Sequence, residues 1–173
     1  GWAIDWGNGR NDLTETATYM RDEFLRRSEH EMGMLSPYGK FVQVFINGEY
    51  WGMYNLHERV DAAYFASHED GDEEDWDVIE GGGFLTDGDL GAWNELLGLG
   101  TEGVTSATQY AQMEKLLDMD SFVDSMIARI WSGDNDWLGP VFFGTFSTGV
   151  NNRNWFAGRR SRGGAGDEPF HFF

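Results

Sequence analysis

A chain of 173 residues with 12 Lys and Arg against 30 Asp and Glu carries a formal net charge of -18, which argues against nucleic-acid binding, because that affinity comes from basic side chains displacing counterions. Apolar residues make up 40% and aromatic residues 16%, too many for a disordered chain and enough for one sizeable core. Without cysteine there is neither disulfide nor thiol chemistry, no apolar run approaches the ~18 residues of a membrane span, and so acidic a surface serves either plain solubility, its commonest use, or the steering of a basic protein partner.

Residues 1–18, rich in Gly, Asn and Asp, read as a loop. A helix follows, with Thr14 or Thr16 as its cap, Met20, Phe24, Leu25, Ser28 and Met32 on one face, charges from Arg21 to Glu31 on the other, and Gly33 as its stop. From Phe41 to Ile46, Val42, Val44 and Ile46 alternate with Phe41, Gln43 and Phe45, the two-residue period of a strand. Asn47-Gly48 then predicts a hairpin, since a type I′ turn needs positive φ at both central residues. The return strand runs from Glu49 to about Leu56, with Gly52 marking a bulge or a close backbone approach. It delivers the charged His57-Glu58-Arg59 to a sheet edge, and His57 itself reads as a solvated side chain.

Ala62 to Ala66 reads as a short helix. The acidic run from Glu69 to Asp77 tempts a calcium reading, but counted from Asp70 the sixth position is Asp75 rather than Gly and the twelfth is Gly81 rather than Glu. It is expected to be a solvated, mobile loop. Gly81-Gly82-Gly83 reads as a flexible break, lacking the pattern of a Walker or kinase phosphate loop. Asp87 or Asp89 caps a helix with Leu90, Trp93, Leu96 and Leu97 inward, and a second helix spans about Ser106 to Leu117. Asp118 or Asp120 caps a third, whose buried stripe is Phe122, Met126, Ile127 and Ile130.

Directly after that helix comes Trp131-Ser132-Gly133-Asp134-Asn135-Asp136-Trp137. A helix ending in Gly and acids between tryptophans puts carboxylates at the lip of a core, a common position for functional groups. Further on, Asn151-Asn152-Arg153-Asn154-Trp155 leads into Arg159, Arg160 and Arg162, a dense positive cluster suited either to neutralising phosphate or to solubilising a surface hairpin. The chain closes on a strand-like Phe170-His171-Phe172-Phe173.

Asn47, Gly48, Tyr50, Gly52, Tyr54, Leu56, Glu58, Val60 and Asp61 together resemble the signature of the CotH kinase family, atypical protein kinases first associated with spore coats. Arg21-Asp22 matches the family's helix opening, and Gly133, Asp136 and Trp137 match its Gly-Asn-x-Asp-Trp loop, with Asp134 where the family has Asn. The resemblance implies an α+β, atypical protein-kinase-like fold, a small antiparallel sheet with the Asn47-Gly48 hairpin packed on a mainly helical part. Residues 1–173 would be a single partial domain truncated at both ends, inactive alone. The implied reaction is transfer of the ATP γ-phosphoryl group to Ser or Thr of a basic protein substrate with Mg²⁺ or Mn²⁺. Asp136 would be the catalytic base and Asn154 a metal ligand, while Glu58, Tyr54 and Phe170 would hold the nucleotide and Glu23 would pair with its lysine. The lysine and a second metal-binding Asp would lie outside the chain, at an extracellular, cell-surface or spore-surface location. Between Asp136 and Asn154 the chain is longer than the family's pattern, which matters because phosphoryl transfer depends on placement to about an ångström. Two other readings stand beside this one. The first is a non-catalytic adhesion or spore-coat domain on the same fold. The second is a carbohydrate-associated protein, for which Asp134 and Asp136 are the only carboxylate pair in sight.

Overall fold

The computed structural model describes residues 19–134, 154–161 and 167–173. The structure is α+β, and it divides into two compact units, one ending at His57 and the other beginning at Glu58.

In the first unit, helix α1 (Arg21–Glu31) accompanies a hairpin of β1 (Gly39–Ile46) and β2 (Glu49–His57). Asn47 and Gly48 both take positive φ, 53° and 85°, as the turn requires. The register slips between Val44 and Phe45, because Val44 pairs with Gly52 while Phe45 pairs with Tyr50. Gly52, at φ 150°, is thus the bulge that the sequence suggests. The face of α1 is the reverse of the expected one. Met20 and Phe24 are 58% and 55% exposed, whereas Glu23 and Glu29 are buried. Polar partners decide this: Glu23 is reached by Arg26, Arg27 and Asn55, and Glu29 accepts a 2.6 Å hydrogen bond from Ser36 Oγ. A two-stranded hairpin has little apolar surface to offer in competition. Met20 occupies the cap position without a side-chain cap bond, while Thr14 and Thr16 lie outside the described residues. Gly33, at φ 83°, ends the helix as expected.

The second unit opens with α2 (Ala62–His68), whose N-cap Asp61 accepts from Tyr64 N at 3.0 Å. A short 3-10 turn (Glu73–Asp75) leads into β3 (Trp76–Glu80), and β4 (Phe84–Asp87) follows. The helices α3 (Gly91–Glu102), α4 (Ala107–Met113) and α5 (Met119–Ser132) come next, before β5 (Phe156–Arg160) and β6 (His171–Phe172). The four strands form one antiparallel sheet in the order β4-β3-β5-β6.

Glu69 to Glu74 are exposed, as a solvated loop should be, but the sheet takes in the end of the acidic run and replaces the expected flexible glycine break with a turn. The acidic run ends as the central strand, and Gly82 and Gly83 form its tight connection to β4 with φ of 90° and 77°. Strand β3 is covered on both sides. Trp76 and Val78 face α2, with Phe65 stacked on Trp76 at 4.9 Å. Ile79 faces the larger core of Trp93, Leu96, Leu116, Leu117, Trp155, Ala157 and Phe170. Burial on both faces erases the two-residue period that a half-exposed strand would show.

Caps on the helices largely follow the sequence. Asp118 accepts from Asp120 N and Ser121 N as a cap should; at α3 the cap position is Leu90, without a side-chain bond, while Asp89 just before it accepts from Gly91 N and Asp87 instead receives Ala62 N of α2. The stripe of α5 does not follow it. Ile127 and Ile130 are exposed, and the buried side consists of Ser125, Ala128 and Arg129 beside the partly buried Phe122. Small residues let the helix approach β6, where Phe122 meets Phe172 edge-on at 5.1 Å.

Candidate functional site

The end of α5 is built by its own sequence. Gly133 takes φ 70° and its N–H bonds back to the helix, which turns the chain so that Asp134 N donates to Arg129 O at 3.0 Å. The Asp134 carboxylate then lies at the negative end of the helix, where a charge of its sign is disfavoured. The Arg129 guanidinium, 4% exposed in its side chain, offsets this from 3.8 Å.

Asn154 reaches the same place from 20 residues further along the chain. Its Nδ2 donates to Asp134 at 3.2 Å to Oδ1 and 3.4 Å to Oδ2. Asn154 sits at φ 64°, a left-handed conformation that Asn tolerates better than most residues. The neighbouring Trp155 anchors it by packing into the core against Trp93 at 5.5 Å.

Of the sequence-derived site residues, Asp136 lies outside the described residues. Tyr54 is on β2 in the first unit, opposite Val42. Glu58 starts the second unit, where its Oε1 is 2.9 Å from His68 Nε2 on α2. Phe170 is fully buried, edge-on to Trp93 at 5.5 Å and 5.7 Å below the Arg159 guanidinium. A ring that covers a bound base presents one face to it, so in this arrangement Phe170 packs the core. Glu23 is engaged within its own unit by two arginines and Asn55. The burial of Glu23 pushes its pKa up, but the hydrogen bonds from Asn55, Arg27 and Arg26 outweigh this and hold it below the ordinary value of 4.5.

Arg159 and Arg160 do not form a surface cluster. Arg159 is buried on β5, its Nε 3.6 Å from Asp77 and its Nη2 3.2 Å from Asp167. Arg160 pairs with Asp75 at 3.7 Å, and Arg162 lies outside the described residues. A cavity of about 310 Å³ opens beside this pair, lined among others by Asp77, Asp89, Glu95, Arg159, Ser161 and Asp167. None of Tyr54, Glu58, Asn154 and Phe170 lines it. Sequence reasoning missed Arg129 and Asp77. An Arg one turn before a Gly-Asp helix end was the available signal for the first, and none was available for the second, whose partner is far along the chain.

Residues 10–140 match the family model described as CotH kinase protein, well over half of the chain. The chain belongs to this family. No curated protein and no solved structure gives a match. The CotH match takes in the hairpin, Glu58, Asp134 and Asp136, while Asn154 and the β5 arginines lie beyond it. Several of the hairpin-region positions that carry the resemblance have local structural work in this chain: Asn47 and Gly48 turn it, Gly52 bulges it, Val60 is buried and Asp61 caps α2.

Among the described residues no group of three or more His, Cys, Asp and Glu is arranged to hold a metal ion. The Asn154 carboxamide turns its nitrogen to Asp134, which leaves its oxygen as a single hard donor, and Mg²⁺ is commonly held by few protein oxygens together with phosphate oxygens and water. That one oxygen would suit such an ion only where a nucleotide's phosphates supply most of the other ligands. No helix among the described residues is long and apolar enough to cross a membrane.

Proposed function

We propose that this CotH-family chain serves a protein kinase activity that moves the γ-phosphoryl group of ATP to Ser or Thr hydroxyls of a basic protein. The observation that supports it is the meeting of Asn154 with the Gly133-Asp134 helix end, 20 residues earlier. The contact supports the reading because a kinase needs the stretch bearing its base and the stretch bearing its metal ligand side by side.

Bound Mg²⁺ or Mn²⁺ would neutralise charge on the phosphates. In this reading Asn154 offers its carboxamide oxygen to that ion. Asp136, two residues past Asp134, takes the proton of the attacking hydroxyl as general base, and Tyr54 and Glu58 contact the nucleotide. The net charge of -18 draws a basic substrate towards the protein. The family's association with spore coats supports a location outside the cell, on a cell or spore surface.

The test uses the full-length protein with labelled ATP, Mg²⁺ or Mn²⁺ and a Ser-rich basic peptide. Asp136→Ala is expected to lower incorporation by about 10²- to 10⁴-fold, the usual worth of a positioned base. Equal incorporation by wild type and variant would remove Asp136 from the mechanism. No incorporation by either would favour a non-catalytic coat or adhesion role.

A further inference from the structure

We propose that Asp134 is a positioning residue that fixes which way round the Asn154 carboxamide sits. The inference rests on the phosphotransferase reading above and assigns one of its parts. A carboxylate accepts hydrogen bonds and donates none, whereas a carboxamide has a donating end and an accepting end. The Asn154 amide is therefore set by its neighbour. With both Asp134 oxygens within 3.4 Å, Nδ2 must turn inward, and the geometry of a planar amide then directs Oδ1 away from the helix end. Asn154 is exposed, so that oxygen is open to a hard cation.

Asp134 is itself held in place. Its N–H bonds to Arg129 O, and its Oδ2 lies 3.8 Å from the buried Arg129 Nη1. Were position 134 an Asn, as in the family's pattern, two carboxamides would face each other. Either end of Asn154 would then be acceptable, and part of the population would present an NH₂ group to the cation. Outer partners of this kind orient metal ligands, and their loss costs about 10- to 100-fold in metal affinity.

The experiment is a Mn²⁺ titration of the full-length protein in the presence of the β,γ-imido analogue of ATP, read by the electron paramagnetic resonance of unbound Mn²⁺. Peptide phosphorylation at saturating Mn²⁺ is measured alongside. Asp134→Asn is expected to weaken Mn²⁺ binding about tenfold while leaving the rate at saturating metal within about twofold. A purely structural role for Asp134 would not produce that split. The swapped pair D134N/N154D again sets a carboxylate against a carboxamide and is expected to recover most of the binding. Wild-type binding in Asp134→Asn, or no recovery in the swapped pair, overturns the positioning role and leaves the kinase reading intact. Failure of Asn154→Ala to weaken Mn²⁺ binding removes Asn154 as a ligand and overturns both.

Discussion

Glu23 keeps a carboxylate out of water in the first unit because three side chains point donors at it. Arg27 Nε lies at 2.7 Å, Asn55 Nδ2 at 3.1 Å and Arg26 Nη2 at 3.3 Å. Burial alone would raise its pKa, but these bonds hold it below 4.5. A group whose pKa is lower in the folded state adds stability above the unfolded value and loses it as pH falls through the folded value. Glu23→Gln is therefore expected to cost about 2 kcal/mol at pH 7. The gap between the two proteins should narrow below pH 4.5, as read from urea unfolding at pH 7 and pH 3. A gap that is the same at both pH values would remove the charge of Glu23 from the account. The glycine beside this network is tied to it, since a Cβ on Gly39 would stand 2.7 Å from Glu23 Oε2 and 3.2 Å from Asn55 Oδ1. Gly39→Ala should thus weaken the same contacts and lessen the pH dependence with them.

Among the elements, β5 is the one whose sequence tolerates least. Gly158 lies opposite Val78, and a Cβ there would overlap the Phe65 ring on α2. Gly158→Ala should destabilise by about 1–3 kcal/mol or more through overpacking, and Phe65→Leu in the same chain should recover part of that loss in thermal melts. At Arg159, next to Gly158, Asp77→Ala leaves the guanidinium in the interior with, among the described residues, only the exposed Asp167 as a charged partner. It also takes away the acceptor of Asp89 N. Removing one member of a buried pair costs about 3–5 kcal/mol, so the melting temperature should fall further than for any single cap deletion, such as Asp61→Ala at about 1 kcal/mol. These contacts mark where the sequence could and could not be read. The hairpin was legible because positive φ at Asn47 and Gly48 is a local demand, settled by two residues. The Gly133 helix end and the Asp118 cap were legible for the same reason. Strand β3 was not, because both of its faces are covered and its acids find their partners some 80 residues away on β5. The buried sides of α1 and α5 were misread because Glu23, Glu29 and Arg129 are satisfied by side chains that hydrophobic spacing does not weigh. At the candidate site, Asn154 was singled out through the family resemblance alone, and its contact with Asp134 depends on backbone geometry that no spacing rule supplies.

Across the whole molecule, the two units differ in how their backbone hydrogen bonds are protected. In the second, β3 is paired on both edges and covered on both faces by α2 and by the Trp93 core, so its amides open only when that core does. In the first, among the described residues, β1 and β2 pair only with each other, and Tyr50, Trp51, Met53 and Leu56 along the return strand are exposed. A two-stranded hairpin is marginal in water even with a good turn, and local opening free energies run from near zero to the full stability of a protein. Hydrogen exchange on the intact chain should therefore rank the amides of Val78, Ile79 and Ala157 slowest, with those of Phe45 and Tyr50 exchanging at least about 100-fold faster. Adding the imido analogue of ATP with Mn²⁺ to the full-length protein should slow exchange at Asn154 and around the Gly133 helix end more than in β3, where stability is already near its ceiling. Exchange in the hairpin as slow as that in β3 would mean that its exposed aromatic strand is covered in solution and that the hairpin does not open on its own.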